Sequence, residues 1–331
     1  MHSIVASGAA LNARTLQREL TGLLPEARTV DGESTLELTT QGNDAPRLMS
    51  ATVVEGDRLQ ARQVAGESGP GFRAFLDGTQ KSQVVCFVGS APVVLGTVAA
   101  AVRERRERRM HTWQTPLIEH NVYVPRAFLS PHAWATLERR LGDTLIDTTD
   151  GVPDVISHPY ALRDAAFHRV QFRREGVERR LAEQWCADES DALFIDGGIS
   201  GSEPVAVSSL TVGVVKSHRT LYAEGEALGT VLGLQYRERS SVFRITSPKR
   251  TTVASWYLRI RNPDGHDPMW GLVRAEVAYP GPSRMADLGA RADDVSRWIL
   301  AEASPLALPD GRWDKMVYGV RDCEEFLRAI T

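Results

Sequence analysis

Two short apolar segments of this chain run into the same dipeptide: Phe75-Leu76-Asp77-Gly78 and Leu193-Phe194-Ile195-Asp196-Gly197. Segments of this kind read as buried strands. Each would carry a carboxylate at its tip, followed by a glycine that lets the backbone turn away at once. Asp-Gly is also a common turn dipeptide, so each aspartate by itself reads as an ordinary strand-ending turn residue. As a pair they constrain the fold further, because a charge at the end of a buried strand is costly unless it binds something. If the two meet at one edge of a sheet, they offer hard oxygen donors suited to Mg²⁺ or Mn²⁺. Paired metals of that type are a standard device for cleaving phosphodiesters, so the expectation is a metal-dependent nuclease.

Composition limits the alternatives. At 331 residues the chain can form one large or two moderate domains, and 42% hydrophobic with 24% charged residues is ordinary for a globular protein. The formal net charge of -3 neither favours nor excludes nucleic acid, because a nuclease needs a local basic groove rather than a basic total. Cys86, Cys186 and Cys323 are widely separated and odd in number. They show neither zinc spacing nor a disulfide framework, so a reducing cytoplasm is expected. Met1-His2-Ser3-Ile4 does not open a charged n-region with an apolar core, so no signal peptide is expected. The longest apolar stretch, Ala91 to Val102, is too short to span a bilayer.

Along the chain, Leu16, Leu20, Leu23 and Leu24 predict a helix within 11–24. A Gly-rich loop over 66–71 leads into the first aspartate strand, 72–77. Val84–Val88 and Val93–Ala101 predict a hairpin joined around Gly89-Ser90-Ala91-Pro92. The stretch 111–160 carries turn signals but no clear period. A helix is predicted over 161–185, directly before the second aspartate strand, and a buried strand over 211–216. Segment 205–210 reads as helix or strand. Residues 255–260 and 271–278 predict a second hairpin, residues 291–303 an amphipathic helix, and a last helix begins near Asp322. This order predicts an α/β fold with a mixed sheet flanked by helices. The main domain spans 61–331, and 1–60 forms an N-terminal helical and extended segment whose Leu16, Leu20, Leu23 stripe would serve either a dimer or partner contact or an intramolecular packing helix.

Further residues are candidates for chemistry. Glu175, Glu178 and Glu183 lie on the long helix before the Asp196 strand, and spacing does not separate them; each is also a fair solvated helix charge. Lys216 ends the strand Val212–Val215, where it would either neutralise a scissile phosphate or sit as an exposed basic residue. His218 reads as a surface or hydrogen-bonding histidine. Arg274 and Glu276 share a strand face, as an ion pair or as part of a metal site. Residues 103–109 hold five arginines against two glutamates, a local excess of +3. Arg103, Arg105 and Arg106 would form a phosphate track, or the run is a solvated helix face. In the run 309–318, Arg312 and Trp313 would close over a nucleic-acid strand, or its aromatics anchor the last helix.

These pieces, in this order, resemble the NurA nuclease family. The matching segments are Leu76-Asp77-Gly78-Thr79, Glu178-Arg179-Arg180-Leu181, Leu193-Phe194-Ile195-Asp196-Gly197-Gly198 and Val212-Gly213-Val214-Val215-Lys216-Ser217. Val273-Arg274-Ala275-Glu276 and the ending Asp310 to Tyr318 with Glu325 complete the set. Together they cover roughly residues 70–330. The resemblance implies a ribonuclease H-like fold and Mn²⁺- or Mg²⁺-dependent cleavage of DNA, both exonucleolytic and endonucleolytic on single strands. It implies a homodimer docked on a hexameric HerA-type ATPase, in DNA-end processing or antiphage defence. Asp77 and Asp196 would hold the metals, with Glu178 as the helix carboxylate. Thr79 stands where the family has serine. No histidine follows His266 where the family often has a late one, and Asp310 or Asp314 would replace it as a further carboxylate. The missing histidine also motivates a second reading, a weakly active or inactive scaffold that binds DNA and the ATPase. A third reading is cleavage of RNA or of an RNA–DNA hybrid.

Overall fold

Residues 74–124 make three long antiparallel strands, the centre of a computed structural model that describes residues 12–29, 45–151, 157–282, 287–303, 315 and 317–331. These strands are β1 (Ala74–Val88), β2 (Ala91–Arg106) and β3 (Arg109–Val124). From Ala91 to Val102 every residue of β2 is buried, as befits a central strand with both faces covered. The β1–β2 turn falls at Gly89-Ser90, close to the expected hairpin. The β2–β3 turn falls at Glu107 and Arg108, both at positive φ (49° and 65°), as a two-residue hairpin requires. The arginine-rich run is therefore the tip of a β-hairpin and not a helix face.

One sequence expectation about β1 is corrected. The strand does not end at Asp77-Gly78 but continues to Val88, with Asp77 opposite Ala101 and Gly78 opposite Ala100 on β2. Local turn propensity loses here to a ladder of hydrogen bonds that a single glycine does not break.

Beyond β1 the sheet becomes parallel. β4 (Leu193–Asp196) runs beside β1, and β5 (Thr211–Val215) beside β4. The hairpin of β6 (Val253–Arg259) and β7 (Leu272–Ala278) then joins antiparallel through β7. The resulting order is β3-β2-β1-β4-β5-β7-β6, with short strands at the margins making thirteen among the described residues. Three antiparallel strands followed by two parallel ones, in the order 3-2-1-4-5, is the expected ribonuclease H-like mixed sheet.

Helices cover both faces. Among α1 (Ala13–Leu23), α2 (Pro131–Leu141), α3 (Pro159–Asp188), α4 (Leu288–Ala303) and α5 (Tyr318–Ile330), the third is the main crossover. α3 begins with Pro159 at its first turn and His158 as cap, whose Nδ1 accepts from the Tyr160 amide at 3.2 Å. Its residues Ala166, Val170, Val177, Leu181 and Trp185 pack with Leu76 and Ile195 on one side of the sheet. α4 and α5 pack with Phe75 and Phe194 on the other. The last helix starts at Tyr318, ahead of the expected Asp322, and residues 203–207 form a single helical turn.

Two described pieces of the segment before residue 61 join the same sheet. Ala27–Thr29 pairs with Cys86–Val88, and Thr52–Val53 pairs with Phe243–Arg244. Leu16, Leu20 and Leu24 are buried against Val85 and Cys86, whereas Leu23 remains exposed. The leucine stripe thus serves intramolecular packing. All three cysteines are free. No helix among the described residues is long and apolar enough to cross a membrane.

Candidate active site

Strand register brings the two aspartates together. Leu76 pairs with Ile195 across the parallel β1–β4 ladder, so the next residues, Asp77 and Asp196, are neighbours. β4 stops at Asp196 while β1 continues. The carboxylates therefore stand where the sheet loses a strand, at the carboxyl end of β4, which is where open α/β sheets bind ligands. Gly197 makes the exit turn at φ +135°, a conformation that disfavours any side chain.

Gly78 has a different task. Its position on β1 faces α3, and a Cβ there would lie 2.1 Å from Glu178 Oε1 and 2.7 Å from Glu178 Cγ. The missing side chain admits Glu178 to the sheet. Of the three helix carboxylates that spacing left equivalent, only Glu178 takes this position. Glu175 is exposed and accepts from Gln171 at 3.2 Å, and Glu183 accepts from the Ser202 hydroxyl at 2.6 Å.

Lys216 lies two residues beyond Val214, the β5 partner of Asp196. The side-chain period of two returns it to the same face, and its Nζ donates to Asp196 Oδ2 at 2.8 Å. Arg174, one turn before Glu178, pairs with that carboxylate and donates to Gln80 Oε1 at 3.2 Å. Neither Arg174 nor Gln80 carries a sequence signal. Glu324 on α5 contributes to the field around Lys216. By contrast, Glu325 pairs with Arg321 at 2.8 Å on the outer surface.

The site is electrostatically strained towards a cation. Asp77 is 6% exposed. Burial, then repulsion from Asp196 and Glu178, holds its carboxyl well above the usual range, against the pull of Lys216 and the Gly78 amide. Glu178 is pushed up to about 7, first by burial and then by Asp196 and Glu175, with Arg174 opposing. Burial alone would lower Lys216, but Asp196 and Asp77 outweigh it and keep the ammonium charged.

A pH dependence follows from Glu178. A carboxyl raised in the folded state stabilises the fold below its unfolded value near 4.5 and loses that contribution as pH rises through about 7. The penalty above pH 7 is about 3 kcal/mol for this nearly buried group. In EDTA, the melting temperature should therefore fall as pH rises from about 4.5 to about 7, and Glu178→Gln should remove part of that fall. Equal slopes for both proteins would show that Glu178 does not carry the effect.

The donor set fits a hard divalent cation: three oxygen-bearing carboxylates with no sulfur or imidazole among them. Among the described residues, no three His, Cys, Asp or Glu side chains are gathered around one point as ligands. Asp196 is turned to Lys216 and Glu178 to Arg174, so the protein's own cations partly compensate the charges.

The remaining candidates take other places. Glu276 Oε1 accepts from Arg274 at 2.6 Å and its Oε2 accepts from the Ile199 amide at 2.9 Å. The pair is thus an internal bridge that positions the loop after Asp196. His218 is half-buried, meets the Leu272 carbonyl at 2.7 Å and is pushed down to about 4, chiefly by desolvation of its ring. It is a neutral, hydrogen-bonded histidine and not a surface one. Arg103 donates to Asp322 at 2.6 Å, Arg105 makes two bonds of 2.7 Å to Glu302, and Arg106 pairs with Glu104 at 2.6 Å. None of these three arginines lines the cleft at the carboxylates. Asp310, Arg312, Trp313 and Asp314 lie outside the described residues.

That cleft, about 450 Å³, runs between α3, the loop 197–202 and the turn before β6. Its walls combine Glu178 and Asp196 with Arg174, Arg179, Lys249, Arg250 and the ring of Phe172. Lys249 and Arg250 are exposed residues of a turn held by the Thr251 amide donating to the Ser200 carbonyl at 3.0 Å. No charge run or repeat in the sequence announces this basic group, because its members come from two distant segments.

Fold and site define a ribonuclease H-like α/β protein with a carboxylate pair, one buried and one half-buried, at the middle of the sheet and a third carboxylate brought by the crossover helix. Among solved structures, the chain is similar to the NurA nuclease from Sulfolobus solfataricus, at 10% identity, with 85% of each chain covered and a TM-score of 0.41. At that similarity the comparison assigns no residue a role. No protein-family model and no curated protein matches the chain.

Proposed function

We propose that this protein is a metal-dependent nuclease that hydrolyses phosphodiesters of DNA. The observation that carries this reading is the register that sets Asp77 beside Asp196, with Glu178 admitted over Gly78. Asp77, Asp196 and Glu178 would hold Mn²⁺ or Mg²⁺. Bound there, the cation would supply Lewis-acid polarisation of the phosphate and a water made nucleophilic at neutral pH. Lys216 holds Asp196 in place and offers an ammonium that offsets charge developing on the phosphoryl oxygens. Arg174 holds Glu178 in the same way. Arg179, Lys249 and Arg250 bring positive charge to the cleft, as a phosphate backbone requires.

The sequence resemblance supports, as further parts of this proposal, a homodimer working with a hexameric HerA-type ATPase in DNA-end processing or antiphage defence, in the cytoplasm. Asp314, with Arg312 and Trp313, would complete the site from the C-terminal run.

Cation binding tests the reading directly. Saturating Mn²⁺ should raise the melting temperature of the wild type, by the equivalent of about 3 kcal/mol at a hundredfold excess over Kd. End-labelled DNA should be degraded with Mn²⁺ or Mg²⁺ and left intact in EDTA. No thermal shift and no cleavage, with or without a HerA-type ATPase, would refute it. A thermal shift without cleavage would favour the second reading, a DNA- and ATPase-binding scaffold. The ion pairs that already occupy Asp196 and Glu178 are the observation in favour of that alternative.

A further inference from the structure

Phe172 has no structural use. It stands on α3 with 65% of its surface exposed, and it belongs to no hydrophobic cluster among the described residues. Yet it forms part of the wall of the carboxylate cleft. Arg179 lies two helical turns further along the same face. The other arginines of this helix stretch are engaged: Arg173 and Arg180 with Glu119 on β3, and Arg174 with Glu178. Arg179 and Lys249 make no ion pair among the described residues, and Arg250 reaches only the Ser200 hydroxyl, at 3.5 Å. A bare aromatic face beside three available cations matches a ligand with flat apolar faces on an anionic chain.

We infer that Phe172 stacks against a base, and that the cleft takes a single DNA strand whose phosphates lie along Arg179, Lys249 and Arg250. The inference deepens the nuclease reading and rests on it. Inside a duplex both faces of each base are covered by its neighbours. Without the cost of prying a duplex step apart, an aromatic side chain therefore reaches a base face on an unpaired strand or at an end. The substrate delivered to the carboxylates is thus single-stranded, or a duplex end that has opened.

Binding separates this inference from the reading beneath it. Fluorescence anisotropy would follow a labelled oligo-dT strand and a closed dumbbell duplex without ends, once in EDTA and once with Ca²⁺. Phe172→Ala should weaken the single strand about tenfold and leave the dumbbell unchanged, and Phe172→Trp should retain wild-type affinity. Because the ring is exposed, these variants should melt with the wild type. Equal binding of oligo-dT by wild type and Phe172→Ala would overturn the stacking role alone, and so would an equal loss on both DNAs. No binding of either DNA by the wild type under both conditions would overturn the nuclease reading and the inference together.

Discussion

Replacing Asp196 by asparagine should lower metal-dependent DNA cleavage more than about 100-fold, beyond the 10–100-fold typical of residues that merely support a metal ligand. The substitution keeps the shape of the side chain and removes one charge from the pair. Two opposite effects on stability follow. Lys216 loses the charge of its 2.8 Å partner, and Asp77 loses the carboxylate that repels it. Without metal, the melting temperature should therefore stay close to that of the wild type, while the Mn²⁺-induced increase shrinks. Cleavage of end-labelled single-stranded DNA and melting curves with and without Mn²⁺ would measure both. An Asp196→Asn protein that is free of contaminating nuclease and still degrades DNA at the wild-type rate would rule out the assigned role.

Gly78→Ala should be the most damaging change that removes no functional group. A methyl at this position meets the Glu178 side chain at 2.1 Å. The carboxylate, at the end of a flexible side chain, must swing away. The backbone itself has little reason to object, because Gly78 is an ordinary ladder residue opposite Ala100, and replacing glycine by alanine trims unfolded-state entropy. Stability should stay within about 1 kcal/mol of the wild type, while cleavage falls about 10- to 100-fold, as for a displaced supporting group. A double-mutant cycle gives the sharper check. If Gly78→Ala acts by displacing Glu178, it should cause no further loss in a Glu178→Ala background. Full additivity would place the effect elsewhere.

Several features were legible because they are local. Apolar runs ending in Asp-Gly announced two strands, a helical period announced α3, and paired short runs announced the β1–β2 and β6–β7 hairpins but not β2–β3. The alternation of these elements was enough for an α/β fold with a mixed sheet. Asp77, Asp196, Glu178 and Lys216 could be singled out by residue type and position, although helical spacing left Glu175 and Glu183 equivalent to Glu178. Prediction went wrong where a local rule met a tertiary one. Asp77-Gly78 reads as a turn, but pairing with β2 carries the strand straight through it. The run 103–109 also reads as a solvated helix face. It is instead a hairpin tip whose Arg103 and Arg105 bond Asp322 and Glu302, residues nearly two hundred or more positions away.

The sequence by itself determined which residues could bear charge next to apolar strand runs and where the periodicities change, since both depend on neighbours a few positions apart. Only the tertiary structure decided which carboxylates meet. That depends on the β1–β4 register and on the one bare position of β1 that lets α3 approach. It likewise decided which cations are spent and which are available. Arg103 and Arg105 look no different in sequence from Arg179 and Arg250. What separates them is whether folding places an acid within reach, because a long basic side chain takes its role from the charge it finds.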